Sequence, residues 1–188
     1  LLANDKIDYQ LIVNIIGSHL DVSRVYIFLN KDIYSKEIII DQVAEYCKPG
    51  IKKQINNPQL QNFNLYNYSS DWGNKLSKGA PIFGNIDDFP ENEQQLLLDQ
   101  EIKTLLILPF NYDSYLWGFI GFDECTYKKD WTDAEINFLR AISDIIAIKE
   151  NTLNIKNKAI ALKKKFNFID ILLYTLIIKY LAQEIKNY

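Results

Sequence analysis

Methionine is missing from this chain altogether, position 1 included, and arginine, histidine and cysteine are nearly missing too. A chain that does not open on Met is expected to be a piece of something longer. The single histidine, His19, cannot by itself build the usual metal sites, which need three or four ligands; at a helix end it suits the C-terminal dipole. Cys47 and Cys125 are too few and too far apart for a disulfide framework, which points to a reducing, cytoplasmic setting. A reactive thiol wants basic surroundings, and Cys125 instead follows Asp123-Glu124. Arg24 and Arg140 are the only arginines, and the net charge of -3 argues against a nucleic-acid partner, which needs a basic face. The start around Asn4-Asp5-Lys6 is polar, and no signal peptide is expected. The apolar run from Phe166 to Leu181 carries Asn167, Asp170 and Lys179 and falls short of the ~20 residues that span a bilayer. It is expected to be a helix packed on a partner or on the N-terminal helix. Lys163-Lys164-Lys165 just before it reads as a solvated face.

What is present is an ordinary globular composition, 48% hydrophobic and 24% charged over 188 residues, enough for one domain plus an extension. Apolar pairs at Leu11-Ile12 and Ile15-Ile16, then Leu20, mark an amphipathic helix from about Ile7 to Leu20. Arg24 to Leu29 and Ile38 to Tyr46 read as strands. Between Ile51 and Phe89 the pattern is irregular yet rich in rings, at Phe63, Tyr66, Tyr68, Trp72 and Phe83. A disordered linker would not carry that load, and a long ordered segment without periodicity is usually a lid or pocket wall. Pro90-Glu91-Asn92-Glu93 opens a helix to about Asp99. Leu105 to Phe110 and Leu116 to Asp123 form an antiparallel hairpin. Thr132 with Glu135 is a capping box, followed by the stripe Ile136, Leu139, Ile142 and Ile146. Trp131 ahead of that box reads as core or staple.

The strand Leu116-Trp117-Gly118-Phe119-Ile120-Gly121-Phe122-Asp123 is the most telling segment. Glycine weakens a strand, and its usual reason is close approach of a backbone or ligand. Strict alternation sets Trp117, Phe119, Gly121 and Asp123 on one face and Leu116, Gly118, Ile120 and Phe122 on the other. The Trp117 face is expected to line a cavity, and Gly118 to admit a helix. Asp123 and Glu124 then point to opposite faces and do not pair; Asp123 is expected to bond loop backbone and fix the hairpin end.

This strand, with Trp131-Thr132-x-x-Glu135-Ile136, resembles the end of a GAF domain, a small-molecule sensing module. So do Leu20-Asp21-Val22-Ser23-Arg24-Val25-Tyr26-Ile27-Phe28, Asn57-Pro58-Gln59-Leu60-Gln61, Trp72 with Leu76 and Gly79, Asp87-Asp88-Phe89-Pro90-Glu91-x-Glu93, and Glu101 to Pro109. The resemblance covers roughly residues 7 to 150 and is strongest to the GAF domains upstream of bacterial histidine kinases and diguanylate cyclases. It implies an α+β fold: an antiparallel sheet of about five or six strands, terminal helices on one face, loops and short helices over a pocket on the other. Residues 1–150 would be the GAF domain and 151–188 a C-terminal signalling-helix extension.

The function so implied is that of a regulatory input domain and not an enzyme: a small molecule binds, and the terminal helices of a homodimer transmit its presence to an output domain. The expected pocket residues are Tyr46, Phe63, Tyr68, Trp72, Phe83, Trp117 and Phe119; no catalytic or metal-binding residue is expected, and the ligand is unidentified. Bilin-binding relatives carry Asp-Ile-Pro and a suitably placed cysteine, whereas this chain has Asp87-Asp88-Phe89-Pro90. Phe119-Ile-Gly-Phe-Asp123-Glu124 falls in a strand and is a coincidental match to the cyclic-nucleotide motif. A haem would need an axial ligand, and His19 is the sole histidine. Two other readings stand beside the sensor: a GAF scaffold whose pocket has filled in, and a thiol-dependent reductase using Cys47 or Cys125.

Overall fold

The computed structural model of the protein describes residues 6–186; the polar start at Asn4-Asp5 lies outside them. Contacts divide the chain into two units, Leu1–Glu150 and Asn151–Tyr188. In the first, helix α1 (Tyr9–His19) begins where the Asp8 side chain accepts from the Leu11 N–H, an N-cap. Strands β1 (Arg24–Asn30) and β2 (Ile39–Cys47) follow. The ring-rich stretch then resolves into β3 (Phe63–Asn64), α2 (Leu65–Tyr68), α3 (Ser70–Ser77) and β4 (Ile82–Asn85), each too short to leave a period in the sequence. Helix α4 (Glu91–Leu98), the hairpin β5 (Thr104–Tyr112) and β6 (Tyr115–Glu124), and α5 (Asp133–Lys186) complete the chain.

The six strands form one antiparallel sheet in the order β3-β2-β1-β6-β5-β4. Its central strands are buried on both faces because each face has its own cover. Tyr26, Phe28, Leu105, Ile107 and Phe119 meet Leu65, Trp72, Leu76 and Leu97 on one side. Val25, Ile27, Leu106, Leu108, Ile120 and Phe122 meet Val13 of α1 and Ile136, Leu139 and Ile146 of α5 on the other. Period-two alternation in β1, β5 and β6 thus feeds two separate cores. This is the α+β arrangement expected, with terminal helices on one face.

Strict alternation fails at one place in β6, and the failure matters. Phe110 pairs with Gly118, but Asn111 pairs with Leu116, leaving Trp117 as an extra residue. A bulge of this kind reverses the facing of everything before it. Leu116 therefore joins Phe119 on the short-helix side, and Trp117 joins Ile120 and Phe122 under the terminal helices. Gly118 serves this kink and admits no helix: a Cβ there would sit 2.1 Å from the Phe28 carbonyl oxygen and 2.8 Å from the Phe110 ring. Gly121 makes room for a ring, since its Cβ would lie 2.2 Å from Tyr26.

Helix α5 starts on the expected capping box. The Thr132 N–H donates to Glu135 Oε2 at 2.9 Å, and the Glu135 N–H donates to Thr132 Oγ1 at 3.2 Å. Trp131 lies edge-on to Phe122, ring centroids 6.1 Å apart, as core. In the second unit the helix bears exposed Ile155, Leu162, Phe166, Ile169, Leu173 and Leu176. No helix among the described residues is long and apolar enough to cross a membrane.

Because the atom facing Gly118 is backbone, no side-chain rotation relieves an added methyl. Gly118→Ala is expected to cost about 3 kcal/mol, the upper end for overpacking, measured as a lower urea midpoint at unchanged slope. A loss under about 0.5 kcal/mol, the range of neutral surface changes, would show that the bulge re-forms around a Cβ.

Candidate functional site

The covered face opposite α1 and α5 holds a cavity of about 50 Å³. Its aromatic wall is built by local caps. The Asn64 side chain accepts from the Tyr66 and Asn67 N–H groups at 3.1 and 3.2 Å, starting α2 and so placing Tyr68. Ser69 Oγ accepts from the Trp72 N–H at 3.2 Å, starting α3. Glu93 of α4, only 4% exposed, then ties the three helices together. Its carboxylate accepts from Trp72 Nε1 at 2.8 Å and from Ser69 Oγ at 2.5 Å, and its carbonyl accepts from the Tyr68 hydroxyl. The polar atoms of Tyr68 and Trp72 are thereby used in the scaffold, and their rings, edge to face at 5.3 Å, wall the cavity. Phe63 stands 5.4 Å from Tyr68, and on the sheet Phe119 stacks on Phe28 at 4.9 Å.

The polar end of the cavity centres on Arg24, the residue that opens β1 and is 1% exposed. Its Nη1 donates to Asp123 Oδ2 at 2.9 Å, and its Nη2 to the carbonyls of Lys52 at 3.1 Å and Gln100 at 3.3 Å. Its Nε lies 3.5 Å from Glu45 Oε1. Tyr26 donates to Asp123 Oδ1 at 3.0 Å, across the space that Gly121 leaves. Glu45 also accepts from the Gln54 and Ile55 N–H groups at 2.8 and 3.1 Å. Burial works against the charge on Arg24, but Asp123 and the neighbouring acids outweigh it and hold its pKa above the ordinary value. For Asp123 burial prevails over the attraction of Arg24, and its carboxyl is pushed up to about 6.

Of the seven expected pocket residues, Phe63, Tyr68, Trp72 and Phe119 line this cavity. The other three stand elsewhere. Tyr46 packs on the α1 side, its ring filling the place of a Cβ at Gly17. Phe83 is half exposed on the edge strand β4. Trp117 is turned away by the bulge. Sequence reasoning missed Arg24, Tyr26, Phe28 and Gln42, which also line the cavity. One signal was available: an arginine opening an otherwise apolar, centrally placed strand must find buried partners. Asp123, expected to bond loop backbone, instead turns its side chain to Arg24 and Tyr26. Glu124 on the opposite face accepts from Ser23 Oγ and the Thr126 N–H, both at 2.7 Å.

His19 is exposed, its Nδ1 2.7 Å from the Ile15 carbonyl at the end of α1. Cys47 and Cys125 are free and half-buried, and burial pushes both thiols up to about 11. Neither lines the cavity. Among the described residues no group of three or more His, Cys, Asp or Glu side chains is placed to hold a metal.

The raised Asp123 carboxyl makes a signed pH prediction. Its folded pKa of about 6 exceeds the ordinary 3.8, so the folded state holds a proton that the unfolded chain releases. That contribution is complete below pH 3.8 and is lost as pH rises through about 6. Between pH 4 and pH 7, Asp123→Asn should gain about 2–3 kcal/mol on the unmodified protein, two pKa units at ~1.4 kcal/mol each. Parallel urea curves across that window would overturn the assignment.

The GAF domain family matches residues 9–149 of this chain. The methanogenesis regulatory histidine kinase FilI of Methanothrix harundinacea (strain 6Ac) is 36% identical over 149 residues, 78% of this chain and 17% of that protein. The present chain thus spans about a sixth of that relative's length. Among solved structures, the blue-light-absorbing form of the Thermosynechococcus elongatus PixJ GAF domain superposes with a TM-score of 0.65 at 16% identity, over 81% of this chain and 88% of that one. A far-red-absorbing dark state with bound biliverdin IXa superposes at 0.61 and 14% identity, over 78% and 86%. At these identities the structures establish a shared fold. With the family match, the related kinase and the two-faced antiparallel sheet together, the chain belongs to the GAF domain family.

Proposed function

We propose that this chain is the small-molecule-sensing input domain of a cytoplasmic signalling protein of the two-component histidine kinase type, with a diguanylate cyclase as the other output class. The observation that carries this reading is the cavity, which is walled by aromatic rings and also lined by buried Arg24. Its sheet floor is the same β1 and β6 whose reverse face carries α1 and the start of α5. The relationship to the histidine kinase FilI favours a kinase output over a cyclase.

A tetrapyrrole, held by one of the structural neighbours, does not fit these residues. The cavity of about 50 Å³ has room for about three or four waters, and both cysteines stand outside its lining. The raised thiols likewise argue against a reductase, since attack requires the thiolate. The small volume does favour a second reading, a scaffold whose pocket has largely filled, because ligand pockets usually measure ~300–1,000 Å³.

Signal output would run through a homodimer. Leu11 and Ile15 of α1 and Phe138, Ile145 and Ile148 of α5 are large, apolar and more than half exposed. Six of the exposed apolar residues of the second unit, Ile155, Leu162, Phe166, Ile169, Leu173 and Leu176, stand at spacings of seven, four, three, four and three, the rhythm of a two-stranded coiled-coil seam, with Ile160, Phe168, Ile171, Leu172 and Tyr174 exposed beside them. A ligand preferring one helix arrangement would shift the balance between two.

Two measurements test this reading. Thermal-shift screening against small metabolites should find a compound that raises the melting temperature, and Leu65→Trp, which fills the cavity, should abolish the shift. A screen with no hit would leave the scaffold. Ile145→Glu should convert a dimer into a monomer in light scattering, and a mass unchanged by it would remove α5 from the interface.

A further inference from the structure

We propose that the ligand of this cavity is an apolar molecule of up to about four non-hydrogen atoms, of the short-hydrocarbon class, held without a hydrogen bond. The inference rests on the sensory reading above and adds to it the chemical class of the ligand.

Sixteen residues line the cavity, and ten of them are Leu, Ile or Phe. The other six, Arg24, Tyr26, Gln42, Tyr68, Trp72 and Gln100, carry all the polar side-chain atoms of the lining, and the scaffold has claimed nearly all of these. Tyr26 donates to Asp123, Tyr68 to the Glu93 carbonyl and Trp72 to the Glu93 carboxylate. Arg24 spends Nη1 on Asp123 and Nη2 on the carbonyls of Lys52 and Gln100. Its Nε faces Glu45 at 3.5 Å, and both this atom and Gln42 Oε1 are enclosed beyond the reach of a molecule in the cavity. The amide nitrogens of Gln42 and Gln100 lie 3.5 Å from Glu45 Oε1 and 3.0 Å from the Leu96 carbonyl. Among the described residues that leaves Gln100 Oε1, a lone acceptor with no donor beside it.

A buried water makes about two to four hydrogen bonds, and a cavity that cannot supply them stays dry and takes up apolar guests. A polar group entering this one leaves its hydration behind and finds nothing to replace it. A charged group fares worse. The positive charge of Arg24 is already matched by Asp123 at 2.9 Å and Glu45 at 3.5 Å, and neither carboxylate lines the cavity, so an anion or a cation would be buried unpaired. A methylene, in contrast, gains about fourfold in affinity on leaving water. The shape agrees with the chemistry. Phe28 and Phe119 stack at 4.9 Å on the sheet, Tyr68 and Trp72 meet at 5.3 Å on the helices, and a guest between them touches carbon on both sides. The volume of about 50 Å³ sets the size limit.

The test is an NMR titration of the full 188-residue chain with isobutene, acetone and acetamide, which share one branched skeleton and differ in their hydrogen-bonding groups. Isobutene should shift the methyl signals of Leu65, Leu97 and Ile107 with a Kd at least ~5-fold below that of acetone, the cost of one acceptor buried without a partner. Acetamide should bind more weakly than either. Nuclear Overhauser contacts should run from the isobutene methyls to the rings of Phe28 and Phe119. Acetone or acetamide binding as tightly as isobutene overturns the inference and leaves the cavity as a small-molecule site. Contacts from isobutene to residues outside the lining overturn it as well, because the guest is then bound elsewhere. If none of the three binds, the inference falls. A hit in the metabolite screen then preserves the sensory reading, and a blank screen removes that reading too.

Discussion

A guanidinium with 1% of its surface exposed is the constraint around which one end of this domain is arranged. An isolated buried charge would be prohibitive, so Arg24 dictates what must stand near it. Asp123 comes from the adjacent β6, Glu45 from β2 on the other flank, and carbonyls from the segments at Lys52 and Gln100. Four separate parts of the chain are thereby fixed to the start of β1. Removing either carboxylate leaves charge unmatched, which costs more than the pair contributes when intact. The network's chief effect is therefore on specificity: only one register of β1 between β2 and β6 brings both carboxylates to the same guanidinium.

The glycines and the bulge follow from fitting this network and two cores onto one sheet. Tyr26 must lie flat over Gly121 for its hydroxyl to reach Asp123. Further along β6, the extra residue at Trp117 moves Leu116 to the cavity side and sends the largest side chain of the strand to the helix side. Without that bulge the indole would point at the space now bounded by Phe28 and Phe119.

Much of this was legible in the sequence, for reasons that also explain the rest. The capping box at Thr132, the hairpin and the two-faced strands announce themselves because a cap has fixed spacing and a doubly covered strand is apolar throughout. The short wall elements α2 and α3 left no period, yet their rings Tyr68 and Trp72 marked the cavity, since aromatics in an unpatterned segment need somewhere to be buried. Trp117 was assigned to the wrong face because a bulge has no local sequence signature stronger than a glycine. Tyr46 was misplaced because nothing in β2 reveals that Gly17 of α1 leaves a hollow for its ring. Arg24 was missed for a different reason: a buried charge is recognised by its partners, and its two carboxylates lie 21 and 99 positions away in the chain.

The same geometry decides how an occupied cavity could be felt at the helices. Cavity and helices share no side chains, and the sheet between them is one strand thick. In β6, Phe119 faces the cavity while Ile120 faces the helix-side core, and in β1 Phe28 and Ile27 are divided the same way. Close-packed interiors transmit displacement instead of absorbing it, so a ligand that separated the stacked rings of Phe28 and Phe119 would shift the backbone between them and, with it, the floor on which α1 and α5 rest. Arg24 offers a second route. Ser23, its neighbour, donates to Glu124, which also accepts from Thr126 at the head of the connection to α5. Both routes begin at residues that border the cavity and end at the base of α5, so a change in the cavity reaches that helix through a sheet only one layer deep.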